Sequence, residues 1–410
     1  MGALYSVHPA SEAGPHNPPV PLTAAERWLL AWTLLACLAA PAFLLLTALW
    51  LRQRHRYQIR PFDYPPLSII KPIKGASDQL FPNLASTLAT GYPAPLELLC
   101  CVEDDSDPAV PVVRELQAAH PHHDIKLVFS HGQGSIFGKH ANLIAGYRAS
   151  RYDTVVCSDA DVRLPGGILN ELIPPLWHPQ VGGSTGVFFQ ESGPGAGTDL
   201  MAIFVAAYGY TPNLAARHLR MLPNAIGGLM AYRKEILRAM GDFPAIIAEK
   251  ISDDGALGQA VWRSGREMYL CGQPFTCVRA EPGVRAVLAN IHRWMLMFKG
   301  QGTTAYFQML LVNPYFPLLA WTLAAAAGAS SWRWTVAAWL AVTLWELIWG
   351  AIAVLTHFHR SRPPLPVVLG RPLAHLAMAI TWLAALVWPY TSWGGRRYVV
   401  PIGGRAKPLS

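Results

Sequence analysis

Four groups of residues in this sequence are able to do ionic chemistry. Asp159-Ala-Asp161 places two carboxylates two positions apart. In extended backbone both point to one face, and a hard dication such as Mg²⁺ takes one or two carboxylates and fills its shell from substrate phosphates. The same pair would serve equally as a solvated turn. Asp104, Asp105 and Asp107 precede Pro108. They form either an Asp-rich turn or a carboxylate reaching the base or ribose of a nucleotide. Asp253-Asp254 follows Ser252. Ser252 or Asp253 could cap a helix beginning near Ala256, or one of the two aspartates could be the general base for an acceptor hydroxyl. Arg293-Trp294 is either an interfacial anchor or a guanidinium on a phosphate with an indole closing over it.

These residues need elements to position them. Apolar runs at 67–70, 96–102, 125–129 and 154–158 predict strands, and the patterns at 110–119 and 139–149 predict helices between them. Strands alternating with helices imply a largely parallel sheet. Ligands of such sheets bind beyond the carboxyl ends of the strands. Two of the four strands run directly into carboxylates there: 96–102 into Glu103-Asp104-Asp105, and 154–158 into Asp159-Ala-Asp161. The segment Gly132 to His140 imitates a phosphate-binding loop, but Gln133 stands where that motif has its first glycine and His140 where it has a hydroxyl. An ATPase-type loop is therefore excluded. What stays open is a flexible glycine loop entering a helix, or a loop beside a substrate diphosphate.

Of the 410 residues, 52% are hydrophobic and 14% charged, with a mean hydropathy of +0.24. Soluble domains carry about 25% charged residues, so neither an ordinary cytosolic enzyme nor a disordered chain fits. The apolar excess is concentrated. Residues 28–51 hold no charge, and three further runs (305–331, 334–358 and 373–395) hold only Glu346. Each is long enough to cross a bilayer. Residues 28–51 start too late, and lack the preceding basic region, for a cleaved signal peptide. Arg52, Arg54, Arg56 and Arg60 follow the first run, which by the positive-inside rule puts the N-terminus outside and the chain after it in the cytoplasm. The expected organisation is an extracytoplasmic tail (1–27), a membrane helix (28–51), a cytoplasmic catalytic domain (61–300), membrane helices (305–395) and a basic tail (396–410).

The later charges conflict. Arg360, Arg362 and Arg371 precede the last run, and Arg396, Arg397, Arg405 and Lys407 follow it. Both clusters favour the cytoplasm, so one run must be re-entrant or interfacial; the first of the three, split by Pro314 and Pro317, is the expected one. Glu346 faces either a neighbouring helix or an acceptor lipid. Residues 199–210, too short to span, are an interfacial helix or a core helix. Met1-Gly2 to Ser6 fits a myristoylation pattern, which an external N-terminus argues against. The net charge of +8 lies at the ends of membrane runs instead of in one stripe with aromatics, so no nucleic-acid partner is expected. The six cysteines show no CxxC pair.

Taken in order, these motifs carry a resemblance. Ser68-Ile-Ile-Lys-Pro-Ile-Lys-Gly75, Val102 to Ala109, Gly138-Lys139-His-Ala-Asn142, Ser158-Asp-Ala-Asp-Val162, Gly228 to Glu235, Ser252-Asp-Asp254 and His292-Arg-Trp294 resemble the membrane-bound GT-A glycosyltransferases, in particular the ceramide glucosyltransferase-like family (family 21 type). The resemblance covers most of residues 28–400. It implies an α/β GT-A domain with one N-terminal and about three C-terminal membrane or interfacial helices, in the inner membrane of a bacterium. Carried over, it makes Asp104 a nucleotide contact and places Lys139, Asn142, Asp159, Arg293 and Trp294 on the donor. It makes Asp159 and Asp161 the ligands of Mg²⁺ or Mn²⁺, and Asp254 the catalytic base, with Asp253 as the fallback. The sequence departs from the family pattern at Asn290, usually Gln or Arg, and at Gly255, often aromatic. The implied reaction is inverting transfer of glucose or N-acetylglucosamine from a UDP-sugar to the hydroxyl of a membrane lipid, ceramide or a hopanoid polyol. A processive polysaccharide synthase would need more spans, and a non-catalytic scaffold would not need four aspartates in this order.

Overall fold

The computed structural model describes residues 21–409 except 61, 192–194, 222–224, 279–282, 302, 358–368, 394 and 402–405. The Met1–Ser6 motif, Arg360, Arg362 and Arg405 lie outside the described residues. The chain enters through two collinear helices, α1 (Ala24–Cys37) and α2 (Ala39–Gln53). The α/β domain follows: β1 (Leu67–Pro72), α3 (Leu80–Leu88), β2 (Leu96–Val102), α4 (Ala109–Ala119), β3 (Asp124–Phe129), α5 (Gly138–Ala149), β4 (Thr154–Ser158), β5 (Val162–Arg163) and α6 (Ile168–Leu172). It continues through β6 (Val181–Gln190), α7 (Ala196–Tyr208), α8 (Thr211–His218), β7 (Leu229–Arg233), α9 (Lys234–Ala239), α10 (Phe243–Ile247), α11 (Asp253–Arg263), β8 (Glu267–Cys277) and α12 (Val284–Gln301). Helices α13 (Thr303–Val312), α14 (Tyr315–Ala326), α15 (Trp332–His357) and α16 (Arg371–Val387) precede a last small sheet, β9 (Tyr390–Trp393), β10 (Arg396–Val399) and β11 (Lys407–Leu409).

The main sheet has the order β3-β2-β1-β4-β7-β6-β8-β5. The four strands read from the apolar runs are its parallel half. Every residue of β1 and β4 is buried, as befits interior parallel strands covered on both faces. The strand order reverses between β1 and β4, and such a switch point is where open α/β sheets bind ligands. Asp159 is the first residue beyond it. The other half is mixed, with β7 antiparallel to both β4 and β6, and β6 parallel to β8. Helix α5 lies close on the sheet because residue 146 is glycine: a Cβ there would stand 2.4 Å from Ile70 Cγ2 and 2.7 Å from Cys101 Sγ.

The first expected membrane run is a helical unit from Ala24 to Tyr57, interrupted at Leu38. Pro41 has no N–H for the carbonyl of Cys37 four residues back. The indole of Trp345 takes that carbonyl instead, at 2.9 Å, the kind of repair that lets proline sit in membrane helices. Residues 332–352 form a second helix long and apolar enough to cross a membrane. The run with Pro314 and Pro317 breaks at Asn313-Pro314, bending α13 against α14 by 77°. Counted as one span, that pair makes three candidates among the described residues.

Helix α16 has 17 residues, and its partners include α7 and α12 of the α/β domain. Glu346 faces a neighbouring helix: its Oε2 accepts from Arg371 Nε (2.6 Å) and His375 Nε2 (2.9 Å), both of α16. Helix α7 is buried around most of its circumference, which is the core-helix alternative for residues 199–210. The segment after 395, expected as a basic tail, instead continues an antiparallel sheet begun by β9.

Candidate functional site

Lysine 139 is the centre of the site. Its Nζ lies 2.9 Å from Asp159 Oδ1 and 3.3 Å from Asp253 Oδ1. It thus joins the carboxyl end of β4, the N-terminus of α5 and the N-terminus of α11. Burial alone would lower its pKa, but Asp159 and Asp253 outweigh it and keep the amine protonated. Helix α11 begins at Asp253, three residues before the expected start, with Ser252 as its cap accepting from Gly255 N at 3.0 Å. Both aspartates therefore occupy the first turn, where the exposed amide groups and the helix dipole favour negative charge.

The two neighbours differ sharply. Asp253 is buried, with His140 Nε2 3.5 Å from the same Oδ1 that meets Lys139. Burial raises its pKa, yet Lys139 and His140 hold the carboxyl well below the usual range. Asp254 is half-buried. Its Oδ2 accepts from Gly227 N (2.9 Å), and its Oδ1 accepts from Gly255 N (2.8 Å) and Ser252 Oγ. Burial and the charge of Asp253 push Asp254 upward. Two adjacent carboxylates driven apart in this way have the chemistry to serve one as a fixed charge and the other as a base.

The loop before β7 ties the aspartates together. Asp159 N donates to Gly228 O at 3.0 Å, while Gly227 N donates to Asp254. Gly228 has φ +104°, and a Cβ on Gly227 would stand 2.9 Å from Asp254 Oδ2, so both positions call for glycine. Underneath, the fully buried Lys71 of β1 donates to Ser158 Oγ (3.1 Å), Asp159 O (3.0 Å) and Val162 O (3.3 Å). It staples the turn that carries Asp159 and Asp161. Burial brings its pKa down to about 8.

The remaining expected residues are distributed around this centre. Asp104 lies in the turn after β2, two strands from β4, or about 10 Å at ordinary strand spacing. Its Oδ1 accepts from the amide and hydroxyl of Ser106, which hold it below the ordinary carboxylate range. Asp107 is the structural member of that group, accepting from Gly75 N (2.9 Å) and Ala109 N (2.9 Å). Asn142 is buried, and its amide is used within the fold: Oδ1 accepts from Ser130 Oγ and Nδ2 donates to Ile73 O at 3.0 Å. It ties together the loops after β1 and β3. Arg293 donates to Asn290 Oδ1 and lies 5.2 Å from the ring centre of Trp393. The ring of Trp294 lies 5.8 Å from that of Phe204 of α7. Ring contacts of Trp393 with His140 (5.7 Å) and Phe137 (5.6 Å) join Arg293 to the Lys139 cluster.

Asp159 and Asp161 have the chemistry for a hard dication. Among the described residues no three His, Cys, Asp or Glu gather as a ready-made metal cage. A cation here would draw its other ligands from phosphate oxygens, as Mg²⁺ commonly does. Reading the sequence passed over Lys71, His140, Gly227 and Trp393. Lys71 alone left a visible signal, as a charge inside an otherwise apolar strand.

The chain is similar to several known proteins. Ceramide glucosyltransferase 1 of Caenorhabditis elegans is 26% identical over 245 residues, covering 60% of this chain and 52% of that protein. Ceramide glucosyltransferase of Candida albicans is 31% identical over 124 residues, covering 28% and 23%. The chain thus spans about half or less of the length of these relatives. The solved mannosyltransferase PcManGT from Pyrobaculum calidifontis, in complex with GDP-Man and Mn²⁺, aligns with a TM-score of 0.49 at 21% identity, covering 86% of this chain and 99% of that one. The sequence profile of glycosyl transferase family 21 matches residues 31–406, nearly the whole chain, and the protein belongs to that family.

Proposed function

We propose that the protein transfers a hexose, glucose or N-acetylglucosamine, from a UDP-sugar to the primary hydroxyl of a membrane lipid of ceramide type, with inversion at the anomeric carbon. The carrying observation is the split pair on α11: Asp253 fixed as a charge by Lys139 and His140, Asp254 raised and half-buried beside it. Asp254 takes the proton of the acceptor hydroxyl as its oxygen attacks C1 of the sugar and the bond from C1 to the diphosphate breaks. Asp104 binds the nucleoside end, and Arg293 faces the negative charge that grows on the leaving UDP. Asp159 and Asp161 would hold Mg²⁺ or Mn²⁺, which supplies Lewis-acid stabilisation of the diphosphate when bound. Inversion turns an α-linked donor into a β-linked glycolipid.

The lipid acceptor is supported by the membrane helices and by the names of the curated relatives. We assign three spans, α1–α2, α13–α14 and α15, with the catalytic domain and the C-terminus both cytoplasmic. Glu26 at the start of α1 accepts from Ser330 Oγ (3.0 Å) and Ser331 N (3.1 Å) in the α14–α15 turn, so these lie at one end of the bundle. At the other end, Arg396 of β10 donates to Ile136 O of the catalytic domain. Helix α16 is then the interfacial run, and Arg371 at its start and Arg396 and Arg397 beyond its end are both inside, as the positive-inside rule asks.

The test is incubation of membranes holding the protein with radiolabelled UDP-glucose or UDP-N-acetylglucosamine, Mn²⁺ and ceramide or hopanoid acceptors. A single-sugar β-glycolipid that disappears in Asp254→Asn is expected. A long polymer, or full turnover by Asp254→Asn, would refute the assignment.

A further inference from the structure

We propose that the strands following the last helix complete the donor side of the site, and that Trp393 is a positioning residue that aims Arg293. The inference rests on the transferase reading above and adds to it a part of the chain far from the recognised motifs.

The small sheet is a built element. Trp393 pairs with Arg396 and Tyr390 with Val399 across the β9–β10 hairpin, and Tyr398 and Val400 are buried. It is seated on the segment that leads into α5. Arg396 Nη1 (3.2 Å) and Tyr398 OH (3.4 Å) both donate to the carbonyl of Ile136. The Tyr398 ring lies 4.9 Å from that of Phe137. This segment contains Gly132 and Gly134 in left-handed backbone, at φ +66° and +92°. Glycine positions of this kind carry high conformational freedom, and they stand just ahead of Lys139 and His140. The sheet therefore clamps the entry to the helix on which the ionic centre is hung.

Opposite Arg396 in that hairpin, the indole of Trp393 touches two functional groups. His140, which meets Asp253, is edge-on to it. The guanidinium of Arg293 lies over the same indole, 5.2 Å from the ring centre. A cation over an indole face is held in direction as well as position. Asn290 Oδ1 accepts from Arg293 Nη2 at the same time. Asn290, the departure from the usual motif, is thus part of the same support.

The experiment is a double-mutant cycle on the full-length protein in detergent, reading donor kcat/KM with Mn²⁺ and, separately, UDP affinity. Trp393→Leu keeps an apolar side chain and removes the π face, while Trp393→Phe keeps a π face. Trp393→Leu is expected to lower kcat/KM about tenfold, and Trp393→Phe to stay within about threefold of the parent. In an Arg293→Ala background Trp393→Leu is expected to cost less than about twofold further, the non-additivity of two residues acting as one unit. A wild-type protein that transfers sugar normally, with equal effects of Leu and Phe or with losses that multiply in the double variant, overturns the role of Trp393 alone. A wild-type protein that neither binds UDP nor transfers sugar overturns the transferase reading and this inference with it.

Discussion

Replacing Lys71 by methionine removes one ammonium group from beneath the Asp159–Asp161 turn while leaving a chain of similar length in the strand. Two opposing terms set the stability effect. Burial takes the amine from 10.5 to about 8. At about 1.4 kcal/mol per decade, the folded state at pH 7 holds this charge at a cost of about 3 kcal/mol. The substitution relieves that cost. It also strips donors from Ser158 Oγ, Asp159 O and Val162 O; Asp159 O keeps the amide of Val162 at 3.2 Å, and the other two acceptors, at about 1–3 kcal/mol each, cost about 2–6 kcal/mol together. The terms are of similar size, so Tm at pH 7 is expected to move by only a few degrees. Function is expected to move further, because the turn presenting both metal-site carboxylates loses its staple. Turnover should fall at least about tenfold, and the Mn²⁺ concentration for half-maximal rate should rise.

The pH dependence isolates the cause. The folded pKa lies below the unfolded one, so between about 8 and 10.5 the unfolded chain binds more protons, and the native protein gains stability as pH rises through that window. Lys71→Met should lack this gain. The assay is thermal unfolding in detergent at pH 7 and at pH 10, paired with a Mn²⁺ titration of sugar transfer. Parallel pH dependence in the two proteins, or an unchanged metal requirement in the variant, refutes the reasoning.

The raised Asp254 should place the acid limb of kcat above the range of an ordinary exposed carboxylate, since the base works only when deprotonated; a pH–rate profile flat through the weakly acidic range would contradict this. Asp253→Asn removes the nearby charge and should move that limb toward lower pH, measured by the same profile. EDTA should abolish transfer and added Mn²⁺ or Mg²⁺ restore it, and full turnover in EDTA would exclude a metal role for Asp159 and Asp161. Gly146→Ala forces a Cβ against Ile70 and Cys101 and should destabilise the fold by about 1–3 kcal/mol, as overpacking does, read as a lower Tm in detergent.

The parallel half of the domain was legible in the sequence because interior parallel strands are continuous apolar runs. The strands at 96–102 and 154–158 have the expected limits, and the carboxylates that end the second lie at the switch point. Strand β6, starting Val-Gly-Gly-Ser-Thr-Gly, lacks both an apolar run and an alternation, so nothing local announced it. Its glycines make room for side chains of neighbouring elements, with Tyr232 and Phe275 lying where Cβ atoms at Gly183 and Gly186 would stand. By residue type alone Asp253 and Asp254 were equivalent, and only the family resemblance preferred Asp254. Only the fold set Lys139 and His140 against the first and backbone amides against the second.

The membrane organisation divides in the same way. Length and hydropathy are sums over consecutive residues, and they located the apolar runs and their basic flanks. Which run packs on the catalytic domain depends on partners far along the chain. The run expected to be re-entrant or interfacial is bent by 77° at Asn313-Pro314, while the packing of α16 on α7 and α12 had no local signal. Residue types and local periodicity therefore determined the carboxylates, the strands that carry them and the membrane character of the protein. Tertiary structure decided which carboxylate meets Lys139 and His140 and which meets backbone amides, which lysine supports the turn, and that the end of the chain packs beside this cluster. Those outcomes depend on distances between residues up to more than two hundred positions apart, such as Arg396 and Ile136, and no local pattern encodes them.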